Sequence, residues 1–222
     1  MIVVIQCAAS KRRHAGYFRA PDGRRVLFVA RPELAPSTDD LIYARPDDAA
    51  WQGLSWRELV VRYNETPNRN PHGLLSAFEL YENEAYRHLT KQFRTESTYI
   101  LSAGWGLISA GFLTPAYDIT FSSAADRYKR RKSKDEYYDL CMLPRGSNEP
   151  MVFFGGKDYV PLFSELTKSH GGPRTVFYNS AEPPEASACL LRRFEAATRT
   201  TNWHYDCVNA VLDGSLELAE PT

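Results

Sequence analysis

Four short, continuously apolar runs, set apart by stretches long enough for helices, constrain this chain more than any other feature. They are residues 2–5, 99–102, 151–154 and 175–178. Uninterrupted β-branched and aromatic runs of this length read as strands buried on both faces, which is the pattern of a parallel sheet covered by helices. A fifth run, residues 26–30, follows the turn signal Pro21-Asp22-Gly23 and reads as a hairpin strand. Helices are expected over 54–63, where Ser55 and Glu58 have capping-box spacing, and over 74–93, where Leu75, Phe78, Tyr81, Leu89 and Phe93 recur near helical spacing. Further helices are expected over 123–140, 158–167, 185–197 and 203–212. Residues 31–48, rich in Pro and Asp, read as irregular surface, part of an excursion over about 31–73.

The alternation of strand and helix gives an α/β fold: a three-layer α/β/α sandwich around a mainly parallel, four-stranded sheet. The 222 residues suit one domain. Cys7, Cys141, Cys189 and Cys207 show no CxxC spacing, which argues against a zinc ribbon or a thioredoxin motif. The first residues lack a basic segment ahead of an apolar one, and no apolar run is long enough to span a bilayer, so the expectation is a cytoplasmic protein with no membrane partner.

In such sheets ligands bind beyond the carboxyl ends of the strands. After the first run come Cys7, small residues and the cations Lys11, Arg12 and Arg13, which read either as an anion-holding loop or as a solvated turn. After the second come Gly104, Trp105 and Gly106, then Tyr117 and Asp118. Asp118 is either a carboxylate for water activation and cation stabilisation or a turn aspartate, and Trp105 either a stacking ring or a core plug. The third run ends in Gly155-Gly156-Lys157, where free N–H groups at a helix start favour an anion. The fourth leads to Asn179, with His204 further on; both are candidates for contacts to a base edge, and His204 is alternatively a packed helix residue.

Formal charge is balanced, 27 basic against 27 acidic residues, so an argument for nucleic acid rests on local clustering. Residues 127–134 hold six cations in eight positions: Arg127, Lys129, Arg130, Arg131, Lys132 and Lys134. Such a run binds phosphates or forms a solvated helix face.

Taken together, the motifs resemble YaaA-like proteins. They are Cys7-x-x-x-Lys11, then Ser102-Ala103-x-x-Gly106-Leu107, Pro115-x-Tyr117-Asp118 and Gly156-x-x-Tyr159. The group is distantly similar to the uracil-DNA-glycosylase fold. The chain lacks the Gly-Gln-Asp-Pro-Tyr and His-Pro-Ser motifs of uracil-excising enzymes, which argues against ordinary uracil excision. Some relatives remove modified bases from phage DNA. The resemblance therefore implies a DNA glycosylase that flips out a modified base, such as glucosylated hydroxymethylcytosine in viral DNA. Asp118 would be catalytic. Cys7, Trp105, Tyr117, Asn179 and His204 would contact the base. Lys11, Arg12, Arg13, Gly156, Lys157, Arg127, Lys129, Arg130, Arg131 and Lys132 would hold phosphates. No step calls for a metal or organic cofactor. Two rival expectations stand beside it: a non-catalytic DNA-binding stress protein, and a nucleoside hydrolase or deoxyribosyltransferase acting on small molecules.

Overall fold

Residue Ile2 opens a strand whose first four side chains are all buried, and the rest of the molecule is arranged around it. A computed structural model describes residues 1–51, 53–66, 69–196 and 202–218. Its strands are β1 (Ile2–Gln6), β2 (Arg25–Val29), β3 (Leu41–Ala44), β4 (Leu75–Ser76), β5 (Thr98–Ser102) and β6 (Gly106–Ser109), followed by β7 (Leu113–Thr114), β8 (Tyr117–Asp118), β9 (Leu140–Cys141), β10 (Met151–Phe154), β11 (Arg174–Tyr178) and β12 (Leu190–Arg193). The α-helices are α1 (Trp56–Asn64), α2 (Ala77–Leu80), α3 (Ala85–Phe93), α4 (Val160–Leu166) and α5 (Trp203–Leu212).

The central sheet is mostly parallel and has seven strands in the order β12-β11-β10-β1-β5-β6-β9. The four strands expected from the apolar runs lie next to one another in its middle. The expected count of four is therefore too low, because three further strands escape an apolar-run criterion. β6 is reached by a tight hairpin and runs antiparallel to β5, with Ser102 opposite Gly106. β9 and β12 are short edge strands whose residues are largely half-buried or exposed. Helix α3 packs on β1 and β5, α5 packs on α3, β10 and β11, and α4 packs against β6. No helix among the described residues is long and apolar enough to cross a membrane.

Gly106 shows why the hairpin needs that residue. Its φ is +89°, and a Cβ there would stand 2.4 Å from the Leu140 carbonyl oxygen. Only glycine takes this conformation without strain and lets β9 approach so closely.

Several expected elements differ. Residues 26–30 do not add to the main sheet. β2 lies between β3 and β8 in a separate parallel sheet, although the turn before it does fold back, with Arg19 bridging Arg25. β3 itself falls within the segment expected to be irregular. The expected helix over 74–93 is interrupted: β4 pairs with β7, and Tyr81 is extended and bridges Lys11 before α3 begins. Asn83 marks the restart, its Oδ1 accepting the Ala85 N–H at 2.9 Å.

The expected helix over 123–140 is absent apart from one 3-10 turn at Arg127–Lys129. Six cations in one helix would meet at i,i+3 and i,i+4 spacings and repel. Here they separate instead: Lys129 turns to Asp118, and Arg131 turns inward to Asp139. The expected helix over 185–196 gives way to β12, whose backbone pairs with the free edge of β11. Pro183 and Pro184 and the positive φ of Ala188 oppose helix there. Residue 197, the last of that expected helix, lies outside the described residues. By contrast, α5 and the capping box of α1 form as read, with Ser55 N donating to Glu58 Oε2 at 2.7 Å and Glu58 N donating to Ser55 Oγ at 3.2 Å.

Candidate functional site

From β1 the chain moves to β5 on one side of the sheet and returns to β10 on the other. The reversal makes the carboxyl ends of β1 and β10 the topological switch point, where such sheets leave a crevice. The protein partly closes this crevice itself: Gly156 N donates to Gln6 Oε1 at 2.6 Å. The Gly156 amide, expected to meet a phosphate, is thus taken up by a side chain of β1.

Beside it lies a buried cluster of phenols. Cys7 Sγ is 3.3 Å from Tyr159 Oη and accepts the Ala103 N–H at 3.5 Å. The Ser102 hydroxyl donates to Tyr117 Oη at 2.8 Å, and Tyr117 Oη is 2.7 Å from Tyr81 Oη. Tyr81 stacks on Tyr86, whose hydroxyl donates to the Gln6 carbonyl at 2.8 Å. Burial pushes the phenols of Tyr81, Tyr86, Tyr117 and Tyr159 well above the usual tyrosine range, so they stay protonated. Tyr81 and Tyr86 escaped the sequence reading because an unbroken helix over 74–93 makes them core residues. The Glu-Asn-Glu stretch at 82–84, with Asn at a helix start, was the signal that the helix breaks there.

The hairpin loop at 103–105 is held from inside and outside. Ser102 Oγ accepts the N–H groups of Gly104 at 3.2 Å and Trp105 at 3.1 Å. Arg57 donates to the carbonyls of Gly104 and Trp105, both at 3.0 Å, and is paired with Asp47. Arg131 donates to the Ala103 carbonyl at 2.8 Å and is paired with Asp139. Two buried guanidinium groups thus close the carbonyls of one three-residue loop.

At the rim stand Asp118 and two lysines. Asp118 is half-buried, and its Oδ2 is 2.9 Å from Lys129 Nζ, which also reaches Asp126 at 3.1 Å. The hydrogen bond that Lys129 donates to Asp118 holds its ammonium above the usual lysine range. Lys11 Nζ donates to Ala8 O at 3.0 Å and to Ala9 O at 3.4 Å, and sits 4.3 Å from the centre of the Tyr117 ring. Burial pushes its pKa down, with the charges of Cys7 and Asp118 acting in opposition.

A second feature adjoins the first. Phe121 meets Tyr159 edge-on at 5.0 Å and forms part of the wall of an open cleft of about 490 Å³. Arg130, Arg131, Lys132 and Lys157 also line it, with Asp158 and Glu185 as the acids and Pro161 and Pro184 as apolar wall. Lys132 and Lys157 are exposed, and their side chains have no ion pair among the described residues.

The structure therefore gathers the sequence-derived residues into two groups. Cys7, Lys11, Tyr117 and Asp118 meet at the ends of β1 and β8, and Arg130, Arg131, Lys132 and Lys157 meet in the cleft. Others fall elsewhere. Trp105 has no exposed surface and packs against Phe28 and Tyr117, which is the core-plug alternative. His204 is 1% exposed and lies against the rings of Trp203 and Tyr205 at the start of α5. Asn179 is half-buried just past β11. Arg13 and Arg127 are exposed, and Arg12 is half-buried, its N–H donating to the Leu80 carbonyl at 2.9 Å. Arg131, at 7% exposed, and Lys129 are committed to acids of this chain rather than offered to solvent. No group of three or more His, Cys, Asp or Glu side chains among the described residues could hold a metal ion.

No protein-family model matches the chain, and neither a curated protein nor a solved structure is significantly similar to it.

Proposed function

We propose that this chain is a DNA glycosylase of the uracil-DNA-glycosylase-like, three-layer α/β/α type, acting in the cytoplasm on a modified base, of which a bulky one in viral DNA is the leading case. The observation that carries the reading is Asp118: a half-buried carboxylate fixed by Lys129 at 2.9 Å, next in sequence to Tyr117 of the strand-end cluster. Three residues further, Phe121 enters the wall of the cationic cleft. Breaking an N-glycosidic bond builds positive charge on the sugar, and a fixed carboxylate stabilises that charge or orients the attacking water. Lys132, Lys157 and Arg130 in the cleft, with the exposed Arg13 and Arg127, supply cations for the phosphates of the flanking strand. The base contacts expected of Trp105 and His204 are not carried forward, because both side chains are in the core.

The test is release of free base from a panel of unmodified and phage-modified DNAs, read by mass spectrometry. One modified DNA should yield a base, and Asp118→Asn should slow the release by about 10²–10⁴-fold while DNA affinity stays within a small factor. Unchanged turnover in the variant would remove Asp118 from the chemistry, and binding without release from any DNA would favour a non-catalytic DNA-binding protein.

A second reading has one observation in its favour. A cleft of about 490 Å³ lies within the range of small-molecule sites. A nucleoside hydrolase or deoxyribosyltransferase would turn over free nucleosides and would release no base from any DNA in the panel.

A further inference from the structure

Asp118 is paired with Lys129 and lies within electrostatic range of Lys11, and the two lysines are in opposite situations. Lys129 is gripped by two carboxylates, Asp118 and Asp126, and is kept as a cation. Among the described residues, no carboxylate stands within ion-pair distance of Lys11. Its Nζ is held by two backbone carbonyls, Ala8 O and Ala9 O, against the face of Tyr117. A neutral amine has two N–H bonds, which these two carbonyls can accept, and the lone pair is then left unshared. The same carbonyls and ring face would hold an ammonium as well; burial is what disfavours the charged form, against the opposing charge of Asp118. The backbone of Lys11 is fixed as well, through its bridge to Tyr81. A lysine placed in this way, at the carboxyl end of the first strand and within electrostatic range of Asp118, is suited to nucleophilic work on a carbonyl carbon.

We infer that Lys11 forms a covalent imine with the sugar left after base loss, making the protein a lyase for abasic DNA as well as a glycosylase. This rests on the N-glycosidic reading for its substrate. The Lys11 amine adds to C1′ of the open-chain aldehyde, and the resulting carbinolamine takes up a proton from solvent as it loses water, giving a protonated imine. The C2′ proton passes to the Asp118 carboxylate. Electrons from the C2′–H bond form the C2′–C3′ double bond as the C3′–O3′ bond breaks, and the 3′ phosphate leaves. Hydrolysis of the imine returns the amine and releases a strand with an unsaturated aldehyde at its 3′ end and a second strand with a 5′ phosphate. No oxidant, metal or added cofactor enters the balance.

The experiment is borohydride trapping of the full-length protein on an oligonucleotide whose abasic site has been made beforehand by enzymatic uracil removal. Because the abasic site is supplied, the result does not depend on which base the protein releases, and base release is measured separately. The expected result is a reduced covalent adduct whose mass mapping places the link on Lys11. It should be lost in Lys11→Arg, which keeps a donor to Ala8 and Ala9, and retained in Lys168→Ala, a surface lysine far along the chain. Mapping on the wild-type protein keeps the test valid if a Lys11 variant does not fold. Bound abasic DNA with no adduct, or an adduct on Lys129 or the N-terminal amine, would overturn the inference. Free base without an adduct would overturn the imine step and leave the glycosylase standing. An adduct on Lys11 with no base released from any DNA would support the lyase and overturn the glycosylase.

Discussion

The strand-end cluster and the cationic cleft share a wall, Tyr159 against Phe121, yet they are built in opposite ways. In the cluster, Tyr81, Tyr117, Ser102 and Cys7 are buried, and each polar atom has a near neighbour within the protein. In the cleft, Lys132 and Lys157 carry charge into solvent with no protein partner among the described residues. A satisfied buried network is rigid and resists substitution, because removing one member strands another away from water. Exposed cations contribute little to stability and remain available to an anionic partner. The difference assigns shape to one region and attraction to the other.

The comparison can be broken most severely at the guanidinium groups behind the cluster. Arg57→Met should cost about 3–5 kcal/mol in denaturant unfolding, because it leaves the Asp47 carboxylate buried without its partner. Adding Asp47→Leu should recover a large part of the loss. A cost below about 1 kcal/mol would mean that the loop at 103–105 does not depend on this clamp. Tyr117→Phe should cost less, about 1–3 kcal/mol, since Ser102 and Tyr81 lose one shared partner but no charge is stranded. At the small end, Lys132→Ala with Lys157→Ala should leave stability within about 0.5 kcal/mol. The same pair should reduce the slope of log affinity for DNA against log salt by about 2. A stability loss as large as that of Tyr117→Phe would place the cleft cations in the fold rather than in binding.

Much of the fold was legible where a short stretch decides its own state. β1, β10 and α5 follow from apolar runs and periodicity, and the start of α1 from its capping box, because the forces that make them act over a few residues. Legibility stopped where a distant partner decides. Residues 123–140 have helix-forming composition, but Asp118, Ala103 and Asp139 draw their cations in different directions. β12 exists because β11 offers an open edge, which no local window contains. The same division runs through the site. Cys7, Lys11, Tyr117 and Asp118 were visible as polar residues after core strands. The partners that give them their environment, Tyr81 and Tyr86, were hidden in an apparent helix. Arg57, which no feature of the sequence singled out, is 4% exposed and bonded across the loop.

The two guanidinium clamps also carry a consequence for the order of assembly. The hydrogen bonds from Arg57 to the 103–105 loop span 47 and 48 positions of chain, and the one from Arg131 spans 28. Closures of that length are slow to form relative to local structure. During synthesis the loop emerges after Arg57 but before Arg131 and Asp139, so a nascent chain holds it by one hand only. The strand-end region is therefore expected to reach its working shape late, after the surrounding sheet has formed, and the interval between the two docking events is when a helper protein or a protease would find it open.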